Sequence, residues 1–331
     1  MASRASAVAV AAVLAGMGVL LAAGQGTQAL FNSATSNGGN SFSSAPDLTA
    51  PSASPSLIAK TTGYATGYVK QGGSFYVYAN VSDAGSPPSG TSTVTANVSG
   101  FDAGQTSVPL TSGSYSAGGT SFNYRSAALS ANNPQAQGSY SYSLTLRDTA
   151  TNERSQSFSV QLDNTPPTGT DVQAVDGNGS AGTPGTGDQV VFTFSEPMEP
   201  DTVLAGWTGA ATTVTLRIKD GGVVLGLLGD DVLDVRNAAN TANLPLGSVN
   251  LKAGGYASGL LGGFAVFSNS TMTMSGSQIT VTLGTRSGLS VGDGGCCPSM
   301  QWSTQSTPTD RAGNNTTTGT VTESGAGDRD F

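Results

Sequence analysis

Tyr140-Ser-Tyr-Ser-Leu-Thr-Leu-Arg-Asp148-Thr-Ala-Thr-Asn152-Glu-Arg-Ser-Gln-Ser-Phe158-Ser-Val-Gln-Leu162-Asp163-Asn-Thr-Pro-Pro167 reads as two strands, a tight turn and a linker. Tyr140, Tyr142, Leu144 and Leu146 alternate with Ser141, Ser143, Thr145 and Arg147, and Phe158, Val160 and Leu162 resume the alternation after the turn. Period two with Ser and Thr on the second face is the pattern of an antiparallel sheet with one wet side. Asp148 to Asn152 suits a hairpin tip, because Asp and Asn accept local backbone bonds and tolerate left-handed dihedrals. Thr165-Pro-Pro167 blocks helix continuation and keeps its predecessor extended, so it reads as a linker.

Both features recur. Asp47-Leu-Thr-Ala-Pro51 shares the pattern D-x-T-x-P with Asp163 to Pro167, and Asp310-Arg-Ala-Gly-Asn314 shares D-x-A-x-N with Asp148 to Asn152. Two modules follow, residues 52–165 and 168–331, each closing on the same hairpin. Phe75, Val77, Ala79 and Val81 alternate with Tyr76, Tyr78 and Asn80 in the first. In the second, Val190, Phe192 and Phe194, then Val214, Leu216 and Ile218, then Ile279, Val281 and Leu283 do the same. Short strands with Gly, Pro, Asn and Asp turns, and no helical stripe, predict an all-β chain of two consecutive immunoglobulin-like β-sandwiches. The second module is longer from linker to terminal turn. The excess is placed at about 220–275, around the Gly-rich run Gly254 to Phe264, as loops on a rigid scaffold where binding would reside.

Composition narrows the chemistry. With 46 Gly and 15 Pro among 331 residues the chain falls short of the ~25–30% that marks low-complexity disorder. There is no histidine, which removes Ser-His-Asp and Cys-His nucleophile systems and every His-bearing metal site. Lys and Arg total 13 against 21 Asp and Glu, a net charge of −8, so no basic surface for nucleic acid is expected. Module one is balanced: Asp83, Asp102, Asp148, Glu153 and Asp163 face Lys60, Lys70, Arg125, Arg147 and Arg154. The excess acid therefore belongs to module two.

The N-terminus reads as an export signal. Arg4 precedes an uncharged apolar stretch from Ala5 to about Gly24, and Thr27-Gln-Ala29 is a small-x-small site that predicts cleavage after Ala29. That leaves 1–29 as signal peptide and 30–51 as a Ser/Thr/Asn-rich linker; left uncleaved, the apolar stretch would be the chain's one contact with a membrane. Gly26-Thr-Gln-Ala29-Leu-Phe31, followed by Asn40-Ser-Phe42, resembles the N-terminus of exported biofilm-matrix fibre and camelysin-like surface proteins processed by a dedicated signal peptidase. The resemblance implies the export route. Val77-Tyr-Ala-Asn-Val-Ser-Asp83 and Phe192-Thr-Phe-Ser-Glu196-Pro-Met-Glu199-Pro200, each with its D-x-A-x-N turn, resemble bacterial Ig-like repeats of exported surface proteins. No cysteine ends the apolar stretch and no sorting motif of the LPxTG kind closes the sequence, so release or non-covalent retention is expected.

Asp176-Gly-Asn178-Gly-Ser180 with Asp188 resembles the opening of a calcium loop, but Ala181 and Gly187 stand where an EF-hand needs Gly and Glu. A looser calcium site would use Asp176, Asn178 and Asp188, or Asp230, Asp231 and Asp234; ordinary turn chemistry is the competing reading. Glu196, Glu199 and Asp201 invite a paired-carboxylate hydrolase, but acids of a Pro-punctuated turn on a convex edge are expected to stay solvated and without a cleft. Trp207 and Trp302 are expected in the cores rather than on a sugar-stacking surface. Cys296 and Cys297 are adjacent, so in an oxidising exterior they form a vicinal disulfide or an intermolecular bridge. The expectation is a non-enzymatic, secreted structural or adhesion protein of cell surface or matrix, without cofactor, whose partners are cell-wall or matrix components or its own copies. The alternative is a calcium-dependent or carbohydrate-binding module using loops of domain 2.

Overall fold

A computed structural model describes residues 47–222, 229–260, 262–295, 299–325 and 331. The signal peptide, its cleavage after Ala29, most of the linker, and Cys296 and Cys297 lie outside the described residues. What is described is all-β, as the alternation predicts, with one single-turn helix, α1 (Pro200–Val203), among the described residues.

Module one contains β1 (Ser52–Lys60), β2 (Tyr68–Val69), β3 (Ser74–Ser82), β4 (Thr91–Asn97), β5 (Val108–Ala117), β6 (Thr120–Ser126), β7 (Leu129–Ser130), β8 (Gly138–Asp148) and β9 (Glu153–Leu162). One layer runs β1-β3-β6-β5 and the other β4-β8-β9-β2, joined where β4 meets β5. Phe75, Val77, Ala79 and Val81 from one layer and Tyr142, Leu144, Leu146 and Val160 from the other share one buried core. The opening stretch behaves as read: β8 and β9 pair from Gly138↔Leu162 to Arg147↔Glu153, and Asp148 donates its N–H to the carbonyl of Asn152 at 3.1 Å across the tip.

Module two contains β10 (Gly169–Val175), β11 (Gln189–Phe194), β12 (Thr212–Lys219), β13 (Val232–Asn237), β14 (Asn243–Asn250), β15 (Ala257–Ser258), β16 (Phe264–Ser275), β17 (Gln278–Thr282), β18 (Thr285–Gly288), β19 (Ser290–Val291), β20 (Gln301–Ser303) and β21 (Thr320–Thr322). Its main path is β10-β11-β17-β16-β12-β13-β14-β20-β21. The core gathers on Trp302, which Phe192 and Phe194 meet edge-on at 5.2 and 5.0 Å; Trp207 is also buried, so both tryptophans are core residues. Such aromatic pairs add about 0.5–1.5 kcal/mol each beyond the area they bury.

Two expectations need correction. The region 220–275 is not an insertion of loops: β13 and β14 lie within it as central strands, and Leu233, Val235, Leu244, Leu246 and Val249 point into the core. The glycines of 254–263 mask a period that resumes on either side of them. Nor does module two close on the same hairpin as module one. The tip is conserved in geometry, Asp310 N–H to Asn314 carbonyl at 3.0 Å, but it is flanked by a single bridge, Thr309↔Asn315, while the β20–β21 ladder ends at Ser303↔Thr320. Pro308 sits beside that bridge and has no N–H to extend a ladder.

Candidate functional site at the module joint

The two repeated motifs, far apart in sequence, meet in space. In module one, Asn152 donates its side-chain amide to the Asp47 carbonyl at 2.9 Å and to Asp148 Oδ2 at 2.7 Å, tying the first linker to the hairpin tip. In module two, Asn314 does the same to the Asp163 carbonyl at 3.0 Å and to Asp310 Oδ2 at 2.8 Å. Each contact draws in a third acid from the end of a strand. Asp47, Asp83 and Asp148 form one triple, and Asp163, Glu196 and Asp310 the other, with one carboxylate oxygen from each residue of a triple within 4.8 Å of the others. Sequence reading treated the linker and the turn as separate devices and missed that they converge. The signal was there: Ser82-Asp83 and Ser195-Glu196 each place an acid just past a core strand, at nearly the same offset from the linker Asp.

The triples differ in electrostatics. The N–H of Thr49, and then that of Ser89, holds the Asp47 carboxyl below the usual range. At the joint the balance reverses: burial raises Asp310 despite the amides of Asn314 and Gly313, and Glu196 is pushed up to about 7 by burial and then by Asp163 and Asp310. Three carboxyls this close, with Glu196 and Asp310 both raised, are the arrangement in which one proton is shared. A raised folded-state pKa means that the folded chain holds the proton more tightly than the unfolded one. Stability from Glu196 is therefore complete below the unfolded value near 4.5 and is lost as pH rises through about 7. In chelator, Glu196→Gln should melt with the wild type at pH 4 and above it at pH 8. The gain should be about 1 kcal/mol, because a half-exposed group realises only part of its shift. Equal pH profiles for the two proteins would rule out the shared proton.

Next to the triple, the Pro-rich turn of module two reaches into module one. Glu199 is fully buried, with Oε2 at 2.8 Å from Lys60 Nζ, and its oxygens accept the N–H of Tyr64 at 2.8 Å and of Ala65 at 3.1 Å. Lys60 also donates to the Arg311 carbonyl, Lys70 donates to the Gly313 carbonyl, and Gln71 donates its N–H to Asn164 Oδ1 at 2.9 Å. Local sequence sets the turn. Pro200 opens α1 with φ already helical, and Glu199 N–H donates to the Thr309 carbonyl, so the Glu199 side chain is turned outward rather than back on the helix. Gly63, at φ +100°, leaves the room: a Cβ there would stand 2.8 Å from Glu199 Oε2.

This overturns the expectation that these acids stay solvated. Module one covers the end of the turn, so Glu199 is desolvated and paired, while burial and the neighbouring Asp163 and Asp310 perturb Glu196; Asp201 accepts the Gly206 N–H at 2.7 Å. The calcium candidates lie elsewhere. Asp188 is buried and its carboxylate accepts the N–H groups of Gly177, Asn178 and Gly185 and the Asn178 amide, while the Asp176 carboxylate accepts from Asn178 and Gly179. Both carboxylates brace one loop through backbone donors. Asp231 likewise accepts from Gly221 and Ala257, Asp234 pairs with Arg217 at 2.6 Å, and Asp230 meets Lys252 at 3.5 Å, so those three are not brought together. No family model, curated protein or solved structure matches the chain.

Proposed function

We propose that the chain is an exported, non-enzymatic structural or adhesion protein of the cell surface or extracellular matrix, in which two β-sandwiches act as one stiff spacer. The observation carrying this reading is the joint. Modules in tandem move relative to one another by default, unless the interface holds them. Here a buried ion pair, two backbone N–H groups and two lysine-to-carbonyl bonds cross between modules. The same contacts argue against a hydrolase at this turn, since the Glu199 oxygens are already bound by Lys60, Tyr64 and Ala65.

Spin labels at exposed Ser155 and Thr271, one in each module, test the spacer. A single narrow distance distribution is expected, and a broad one would overturn the reading. Fractionation of the native host, with the mature chain in culture fluid or wall, tests export. Calcium in place of chelator adds an arm: a rise in melting temperature that Glu196→Gln abolishes would place a cation in the joint triple, and an unchanged melt would leave the proton as its neutraliser.

A further inference from the structure

Beside the buried Glu199 pair the joint leaves a cavity whose one cation has no anion. Its volume is about 240 Å³, and both modules wall it: Tyr64, Thr66 and Tyr68 from β2 and the loop before it, and Thr208, Met274 and Arg311 from module two. The module-one wall is fixed in advance. Tyr64 and Ala65 hold their N–H groups on Glu199, and the β5–β6 turn backs the same loop: a Cβ on Gly118 would stand 2.7 Å from Thr66 Cγ2, and one on Gly119 3.2 Å from Tyr64 Oη. The ion pair that docks the modules therefore also shapes the cavity.

Its polar groups are not engaged. No hydrogen bond among the described residues uses the hydroxyls of Tyr64, Thr66, Tyr68 or Thr208. Arg311 belongs to none of the ion pairs among the described residues, and its guanidinium carbon lies 5.8 Å from the Tyr68 ring centroid, against 4.1 Å for Arg217 on Phe264. The ring steers this guanidinium without holding it, and no acid lines the cavity. A neighbouring cavity of the joint differs in this respect. Glu199 and Asp201 line it, and its lysines, Lys60 and Lys70, already donate to Glu199 and to the carbonyls of Arg311 and Gly313.

We propose that the Arg311 cavity binds one uronate ring of an acidic polysaccharide. Size sets the first limit: the volume lies below the ~300–1,000 Å³ of sites for drug-sized ligands, which leaves room for one six-membered ring rather than a length of peptide. A hydroxyl is donor and acceptor at once, so a wall of Tyr and Thr hydroxyls suits a ring that carries hydroxyls itself. Met274 and the buried Pro200 offer apolar surface to the C–H face of that ring. Arg311 offers forked donors that match a carboxylate, with no acid beside it to compete. Inorganic phosphate would leave the apolar side unfilled, and a neutral sugar would leave the guanidinium unpaired. The inference deepens the proposed structural role, whose wall or matrix partner it names by its chemistry, and it rests on the modules being docked.

Calorimetric titration of the full chain with trigalacturonate, beside the methyl ester of the same sugar, tests it. The acid should bind and weaken as salt screens the contact, and the ester, with the same rings and no charge, should bind about tenfold more weakly or worse. Arg311→Gln should bring the acid down to the level of the ester. Thr208→Glu, at an exposed position of the wall, should abolish binding of the acid by setting a carboxylate beside the guanidinium. Melting temperatures equal to wild type exclude misfolding in either variant. Acid and ester that bind alike, or binding that survives both substitutions, overturns the site. A wild type that binds neither sugar while its spin-label distances stay narrow overturns the site and leaves the spacer standing. Broad distances defeat both, because the two walls of the cavity then part.

Discussion

Glu199→Ala should uncouple the modules and lower stability by about 3–5 kcal/mol, the loss typical of removing one partner from a buried pair. The reason is local. Lys60 would remain 12% exposed at its side chain with only the Arg311 carbonyl to accept from it, and the Tyr64 and Ala65 N–H groups would lose their acceptor. An unsatisfied buried donor costs about 1–3 kcal/mol on its own. Calorimetry should show a single coupled transition in the wild type split into two in the variant, with the spin-label distances of the spacer test broadened. The companion variant separates charge from contact. Lys60→Met with Glu199→Leu removes both charges and keeps volume, and should recover the part of the loss due to the stranded lysine charge but not the part due to the orphaned Tyr64 and Ala65 N–H groups. A Glu199→Ala protein within about 1 kcal/mol of wild type, as surface pairs are, would mean the joint is solvated and hinged.

How far the sequence reached can be judged residue by residue. Strand positions were legible because burial in a sandwich imposes period two locally, and Phe75 to Val81 or Tyr142 to Leu146 show it without help from distant residues. The strands of 220–275 were not, since glycine runs between them erase the alternation over the window in which it is read. The joint was half legible. D-x-T-x-P and D-x-A-x-N were visible as repeats, but their convergence depends on where each sheet carries its ends, which no local rule supplies. Lys60 carried no signal at all: it closes an unremarkable strand, and only the docking of the second module gives it a partner. Glu199 misled for the same reason. A turn acid is solvated by default, and its burial is a property of the pair of modules rather than of either one.

Trp302→Ala should split the coupled transition, with module two unfolding first and module one following at the temperature it holds without its partner, since the two cores share no residue. Trp302 is completely buried and sits on a strand of three residues that pairs with β14 through Val249↔Trp302 and with β21 through Trp302↔Val321. So short a strand gains little from its ladder and is held mainly by what its central side chain fills. Truncation removes the ring that Phe192 and Phe194 pack against, a change that costs about 3–5 kcal/mol in buried aromatic sites. It also orphans the Leu246 carbonyl, which accepts the indole N–H at 2.6 Å. At about 2–4 °C per kcal/mol for a domain of this size, the module-two transition should fall by roughly 10 °C or more. Trp302→Phe distinguishes the two losses. It refills most of the volume but cannot donate to Leu246, so its deficit should be about 1–2 kcal/mol. A Trp302→Ala melt within a few degrees of wild type would mean that β20 does not hold the sheet end in place, and the alternative, a tryptophan presented to a sugar, would then need testing by carbohydrate quenching of its fluorescence.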